Sequence, residues 1–524
     1  MLDQLTARLA STGAVLRSNL HVERPDRLTR ALLAMTPWGP GPAGALAAGA
    51  ARYPGADALV DDDGRLTYRE LADRTDAIAS ELQAAGVGPD LVVGVLGRNG
   101  RTFVESLLAA AKTGADLVLL NTGFAGPQLA DVVAAERIDV ILHDAEFGAV
   151  VAESTARAYD ATAVERMARG GGHVGAPRRQ GRLVILTSGT TGRPKGANRR
   201  FSRTSADAVA AVVGSIPLQV RDTQVVAAPL FHGWGLTNLL LGMGRAATTV
   251  VSRTFDPLAM LEVVERERAD VLVVVPVMLQ RMLALGPQAL IDNDTTSLRV
   301  IAASGSALGS KLVSEVLDRF GPVLYNLYGS TEVAVATVAG PDDLWDEPAT
   351  AGRVAMGARV EIIDQDGNPV PRGTTGRVFV GSSSRFEGYT TGGGKEEVRG
   401  LLSSGDLGHF DEAGRLFIDG RDDDMIVSGG ENVFPFEVEE LLSHHPEVAD
   451  VAVVGIDDEE FGSALAAFVV RHEGATLDED GVRAHVRAHL ARFKVPRRIE
   501  FLDQLPRSPT GKVLKRVLAQ EARR

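Results

Sequence analysis

Residues Leu183 to Gly196 read LVILTSGTTGRPKG. Leu183 to Thr187 is an apolar strand, and it runs into a loop carrying three glycines, four hydroxyl residues and one lysine. Glycines let backbone N–H groups approach an oxyanion, Thr187, Ser188, Thr190 and Thr191 add hydroxyl donors, and Lys195 adds a mobile positive charge. The stretch therefore reads as a phosphate cradle set at the end of a buried strand. Gly189 and Gly192 do not stand in the G-x-x-x-x-G-K-[ST] relation to Lys195, which disfavours an ordinary P-loop ATPase. A plain surface loop is the competing reading of such composition.

Working outward, helix-like and strand-like stretches alternate from Leu66 onward. Tyr68 to Ala85, Phe103 to Lys112 and Gln128 to Glu136 space apolar residues helically, whereas Leu91 to Leu96, Asp116 to Leu120, Val140 to His143, Val225 to Ala228, Val271 to Val275 and Val300 to Ala303 are short apolar runs. This alternation predicts an α/β fold with parallel sheets packed by helices. After about residue 355, β-like pieces such as Val360 to Ile363 and Arg377 to Val380 predict a β-rich subdomain. The charged run Gly420 to Asp424 then leads into helix, strand, helix and strand over Glu437 to Leu502. The expected division is a large unit over 1–419 (β-rich from about 355), a hinge at 420–424 and a small α+β unit over 425–524. The cluster Pro37 to Gly44 reads as a loop.

At 524 residues the chain exceeds one compact core. Its net charge of -13 argues against nucleic acid as the main partner. With no cysteine, disulfides, thiolate metal sites and a cysteine nucleophile are all excluded, so any reacting thiol comes from outside. Met1 to Val22 lacks the layout of a signal peptide, and Val271 to Leu279 is too short to span a bilayer. A cytoplasmic location is expected, with at most peripheral membrane contact, as monomer or homodimer. Only seven of the 55 basic residues are lysines, so a lysine in a glycine-rich motif stands out for its compact ammonium group.

Further motifs are Pro229 to Gly235 (PLFHGWG), Ala303 to Leu308 (ASGSAL), Asn326 to Glu332 (NLYGSTE), Ser404 to Asp406 (SGD), Gly420 to Val433 (GRDDDMIVSGGENV) and Pro506 to Arg516 (PRSPTGKVLKR). Singly, each has a bland reading: a turn, a solvated acid, an acidic linker, a basic C-terminal helix. Together and in this order, over about residues 50 to 516, they resemble the adenylate-forming superfamily of acyl-CoA synthetases, peptide-synthetase adenylation domains and luciferases, and most resemble its bacterial fatty acyl-CoA ligase branch.

The resemblance implies a large domain, a rotating small domain, and ATP, Mg²⁺ and coenzyme A as cofactors. It implies that the 187–195 loop binds phosphates, that Ser304, Gly305 and Ser306 form part of the wall shared by adenine and substrate, and that Tyr328 stacks on the adenine beside Gly329. Thr331 would contact phosphate, Glu332 would hold Mg²⁺, Asp406 would accept both ribose hydroxyls, and Arg421 would meet ribose or phosphate. Leu402 and Ser404 stand where the family often has Trp and Thr. Asp423 matches the hinge, with the three adjacent acids leaving that placement ambiguous by one residue. Gly429 and Gly430 would line the thiol path, Lys512 would perform adenylation, and His232 would stand where the acyl and pantetheine tunnels meet. Trp234 either walls or gates an acyl pocket or simply packs.

Implied is a ligase that activates a fatty acid, medium to long chain favoured, as acyl-AMP and passes the acyl group to CoA. Eight residues follow Arg516, which favours free CoA over a fused carrier. Alternatives are a fatty acyl-AMP ligase serving a separate acyl carrier protein, an aryl-CoA ligase, and, from another class, a non-catalytic nucleotide-binding regulatory protein.

Overall fold

Short runs of Val, Ile, Leu and Ala form the inner strands, as expected for parallel sheets covered on both faces. The computed structural model describes residues 25–187, 195–199, 212–382, 388–390, 392–422, 426–428, 431–458 and 462–522. A nine-stranded sheet has the order Arg353–Val354, Ala334–Ala339, Leu324–Ser330, Val300–Ala303, Val271–Val274, Thr223–Val226, Thr248–Val250, Asp57–Asp61, Gly64–Thr67. Its six strands from Leu324–Ser330 to Asp57–Asp61 are parallel, with antiparallel strands at both edges. Val271–Val274 and Val300–Ala303 are buried throughout. Each Val, Leu or Ile among them contributes about 1.5–3 kcal/mol through removal from water.

A second sheet of six strands runs Arg157–Asp160, Val140–His143, Val92–Leu96, Asp116–Leu119, Leu183–Thr187, Lys195–Arg199, parallel except for the last pair. The segment 188–194 joins that last pair, so the residues on either side of it, Thr187 and Lys195, are held opposite each other by antiparallel pairing. The expected β-rich region is an antiparallel five-stranded sheet built between Arg359 and Arg421.

The helices bordering the cleft are, in chain order, α1 (Pro25–Trp38), α2 (Pro42–Arg52), α3 (Gly233–Gly244), α4 (Pro276–Leu283), α5 (Pro287–Asp292), α6 (Ser310–Phe320) and α7 (Pro435–Ser443). Two expectations are corrected. Pro37 and Trp38 belong to the last turn of α1 and Pro42 begins α2, so the loop shrinks to 39–41; proline at a first helical position gives up an N–H that has no helical partner anyway. In the C-terminal part the order is helix, strand, strand, helix, strand: Val448–Asp458 and Gly462–Arg471 form an antiparallel hairpin, and the second also pairs in parallel with Arg498–Phe501. Among the described residues, the buried apolar clusters after residue 425 share no member with those before 419.

Candidate active site

Strand ends from all three sheets before residue 425 and one turn of the C-terminal part converge on a single cleft. Asp406, on Leu401–Phe410, faces Arg421 across an antiparallel pair. Its Oδ1 accepts from Arg421 Nη1 at 3.0 Å, its Oδ2 accepts from the Tyr328 hydroxyl, and its own backbone N–H donates to Ser404 Oγ at 3.0 Å. Asp406 is only 9% exposed. Burial, then the Asp406 charge, hold the Tyr328 hydroxyl well above its usual range, so it stays a donor. Both Asp406 oxygens thus already have protein donors, though each keeps a lone pair for a ligand hydroxyl.

Ser304 follows the strand Val300–Ala303 and donates to Leu327 O at 2.8 Å, tying that turn to the Tyr328 strand. Gly305 sits at φ +105°, a conformation other residues rarely adopt. Ser306, Gly329 and Thr331 line the same cleft. Glu332 accepts from the Tyr389 hydroxyl at 3.0 Å and from Ser330 Oγ at 2.9 Å. Burial and then Glu332 push Tyr389 up to about 12.

Lys512 arrives on a tight turn: Ser508 N–H donates to Lys512 O at 2.8 Å, and Gly511, at φ +82°, closes it. A Cβ on Gly511 would lie 2.5 Å from Val277 Cγ1, and one on Gly123 would lie 2.7 Å from Pro509 Cγ, so the turn is seated between the two sheets by the absence of side chains. Protein surrounds the Lys512 ammonium while water reaches it through the open cleft. Burial first, then Arg421, lower its pKa; Glu332 and Asp406 oppose them. His232, the residue before α3, is pushed down to about 4 by burial and then by the Lys512 charge, so it is neutral at physiological pH.

The structure therefore brings together Lys512, Glu332, Asp406, Arg421, Tyr328, His232 and the 304–306 turn. Trp234 lines the cleft, and its buried indole N–H donates to Val274 O at 3.0 Å. Ser188, Gly189, Thr190, Thr191, Gly192, Asp423, Gly429 and Gly430 lie outside the described residues, as do the side chains of Thr187 and Lys195.

Several residues of the site escaped the sequence reading. The buried amide of Asn99 donates to Ala228 O at 3.0 Å and accepts from Leu230 N–H at 2.8 Å, bracing the loop that carries His232. Thr390 Oγ1 donates to Glu136 at 2.5 Å and its N–H to Gly196 O at 2.9 Å, fixing the neighbour of Tyr389 against the strand Lys195–Arg199. Lys395 Nζ lies 3.4 Å from Ser404 O. Only the Gly-Tyr pair at 388–389 offered a signal, an aromatic beside a turn residue.

Among the described residues no group of three or more His, Asp or Glu could hold a metal by itself. Mg²⁺ needs only one or two carboxylates besides phosphate oxygens, and Glu332 offers one in the cleft, so the residues fit that ion. Nor is any described helix long and apolar enough to cross a membrane.

The AMP-binding enzyme family matches residues 46–390, and its C-terminal domain matches residues 437–512. An indoleacetate–CoA ligase of Aromatoleum aromaticum is 34% identical over 484 residues, 88% of this chain and 94% of that protein. A feruloyl-CoA synthase of Amycolatopsis sp is 34% identical over 461 residues, 86% of this chain and 92% of that one. The crystal structure of ATP-bound MatB from Rhodopseudomonas palustris superposes with a TM-score of 0.80 at 27% identity, covering 89% of this chain and 96% of that one.

Proposed function

Since the chain belongs to the AMP-binding enzyme family, we propose that it is an ATP-dependent, AMP-forming acid–CoA ligase whose acid is ring-bearing and apolar, an aryl or arylalkanoic acid. Relatives named for indoleacetate and ferulate support that acid over the fatty acid that the motif order suggested. The observation that carries the catalytic reading is the convergence of Lys512 from the C-terminal part on Glu332, Asp406 and Arg421 of the larger part.

In this reading a carboxylate oxygen of the acid attacks the α-phosphorus of ATP, and the bond to the bridging oxygen of pyrophosphate breaks. Lys512 and Arg421 offset charge on the phosphoryl oxygens, and Mg²⁺ held at Glu332 supplies further neutralisation when bound. Tyr328 presents its ring to the adenine while Asp406, through Tyr328 and Arg421, holds the ribose side in register. Neutral His232 adds no positive charge that would trap the incoming carboxylate as an ion pair. The unit after residue 425 then turns about the 420–424 segment and withdraws Lys512. The thiol sulfur of CoA attacks the acyl carbon, and AMP leaves with the electron pair of the broken C–O bond.

Pyrophosphate release is measured with ATP, Mg²⁺ and a panel of aryl, arylalkanoic, fatty and amino acids, with and without CoA. Acid-dependent release with thioester formation is expected. Lys512→Ala should lower adenylation by about 10²–10³ while sparing thioester formation from supplied acyl-adenylate. Adenylate without thioester would reassign the acceptor, and nucleotide binding without release for any acid would refute the ligase.

A further inference from the structure

We propose that Tyr389, pinned by Thr390 and Glu136, is the positioning residue of the metal carboxylate: its hydroxyl sets where Glu332 stands relative to the second sheet, and Glu136 is its anchor. This deepens the ligase reading and rests on it, through the assignment of Mg²⁺ to Glu332.

Glu332 lies in the turn between Leu324–Ser330 and Ala334–Ala339 of the nine-stranded sheet. The segment 188–194, which the sequence places on the phosphates, joins Leu183–Thr187 to Lys195–Arg199 in the six-stranded one. A single Mg²⁺ shared by carboxylate and phosphates therefore spans two sheets, and it tolerates little misplacement, because it demands near-octahedral geometry at about 2.0–2.1 Å. One of the hydroxyls on Glu332, Ser330 Oγ, is only two residues away and moves with the same turn. The other, Tyr389, donates to Oε1 at 3.0 Å from 57 residues along the chain.

Tyr389 is itself tied to the six-stranded sheet. It makes an antiparallel bridge with Ala197, and the N–H of its neighbour Thr390 donates to Gly196 O at 2.9 Å. The turn closes on itself through Gly392 N–H, which donates to Tyr389 O at 2.9 Å. Thr390 Oγ1 donates to Glu136 Oε1 at 2.5 Å. Glu136 ends the helix Gly126–Glu136, whose Leu129, Val132 and Val133 are buried with Val118 and Val184 of that sheet. A carboxylate is costly here. Burial raises its pKa, opposed by the Thr390 hydroxyl and the Gly196 N–H, and a helix C-terminus disfavours negative charge. Gly196 makes the approach possible: a Cβ there would lie 2.6 Å from Glu136 Oε1 and 2.7 Å from Thr390 Oγ1. Helix and sheet thus hold Thr390, Thr390 holds Tyr389, and Tyr389 reaches across to Glu332.

Calorimetry tests this by measuring Mg²⁺ binding to the complex with α,β-methylene-ATP and, separately, binding of that nucleotide in EDTA. The variants are Glu332→Gln, Tyr389→Phe, Thr390→Val, Tyr389→Phe with Thr390→Val, Glu136→Ala and Glu136→Gln, with Tm recorded for each. Tyr389→Phe is expected to weaken Mg²⁺ about 10- to 100-fold, as does Glu332→Gln, with nucleotide affinity in EDTA and Tm unmoved. Thr390→Val and Glu136→Ala should each weaken it several-fold, and Glu136→Gln, which keeps an oxygen for the Thr390 hydroxyl, should recover most of that loss. The double variant should bind Mg²⁺ no more weakly than Tyr389→Phe, since Thr390 acts through the tyrosine hydroxyl. Full Mg²⁺ affinity in Tyr389→Phe, losses that add in the double variant, or an equal loss in EDTA would overturn the positioning role, while a weakened Glu332→Gln leaves the ligase reading standing. Full Mg²⁺ affinity in Glu332→Gln would overturn the metal assignment and the positioning role with it.

Discussion

Asp406→Asn tests how the site is held together. The carboxylate takes one donor on each oxygen, Tyr328 on one and Arg421 at 3.0 Å on the other. Hydrogen bonds to a charged acceptor contribute about 1.5–3 kcal/mol each and neutral ones about 1 kcal/mol. An asparagine keeps its carbonyl for Arg421 and turns its NH₂ toward the tyrosine, whose hydroxyl must then accept. What is lost is the charge-assisted share of both bonds. Arg421 is 43% exposed, so its part is screened and discounted. The remainder is about 1.5 kcal/mol, or ~10-fold in nucleotide affinity.

Titration calorimetry with a non-hydrolysable ATP analogue on wild type, Asp406→Asn, Tyr328→Phe and the double variant should return a coupling of about 1 kcal/mol between the two positions. A second readout is independent of affinity. Asp406 is one of two carboxylates that keep Lys512 protonated against burial and Arg421. With the proposed role of Lys512, adenylation should fall as pH rises through its lowered pKa, and in Asp406→Asn this alkaline limb should move further down. Unchanged nucleotide affinity and an unmoved limb, in a protein of unaltered Tm, would refute this account.

Three further outcomes are expected. His232 titrates near 6.5 unfolded and about 4 folded; its folded pKa is depressed, so stability present above pH 6.5 is lost as pH falls through that window. By this term, wild type should lose up to about 2 kcal/mol more than His232→Gln between pH 7 and pH 5 in urea unfolding, and equal losses would contradict the burial argument. Asn99→Ala removes four hydrogen-bonding contacts to the loop before α3 and strands Leu230 N–H, which should cost about 2–3 kcal/mol in unfolding and lower kcat/KM; a neutral result would place the loop's support elsewhere. On α6, Ser310 N–H donates to Glu440 of α7 at 3.2 Å, and His444 Nε2 stands 3.1 Å from Ser310 Oγ. Glu440→Gln should weaken this clasp by about 1 kcal/mol, shifting a fluorescence pair across the two parts ~5-fold toward the open arrangement; an unchanged pair distribution would show that the clasp is idle.

The parallel core was legible because Val271 to Val275 and Val300 to Ala303 are continuous apolar runs that only a doubly covered strand explains. Gly462–Arg471 was missed because its Ala-rich stretch, SALAAF, suits a helix as well as a buried strand, and pairing with Val448–Asp458 decides it. The cleft residues Tyr328, Glu332, Asp406 and Lys512 lie in short motifs whose order could be read. Asn99, Tyr389 and Glu440 work through partners far away in sequence, which no local pattern records. For Trp234 the sequence left wall, gate and packing open, and the carbonyl that takes its indole N–H lies 40 residues away.

The seat of the Lys512 turn bears on how such proteins diversify. Pro509 fits the gap left by Gly123, and Gly511 fits against Val277, so the joint is a matched pair of surfaces. His232 and Trp234 lie before residue 419 and the Lys512 turn lies after residue 425. Recombination between relatives could therefore exchange specificity without rebuilding the chemistry, provided the two glycines travel as compatible halves. A chimera bearing a larger residue at position 123 or 511 would fold in each half yet never bring its lysine home.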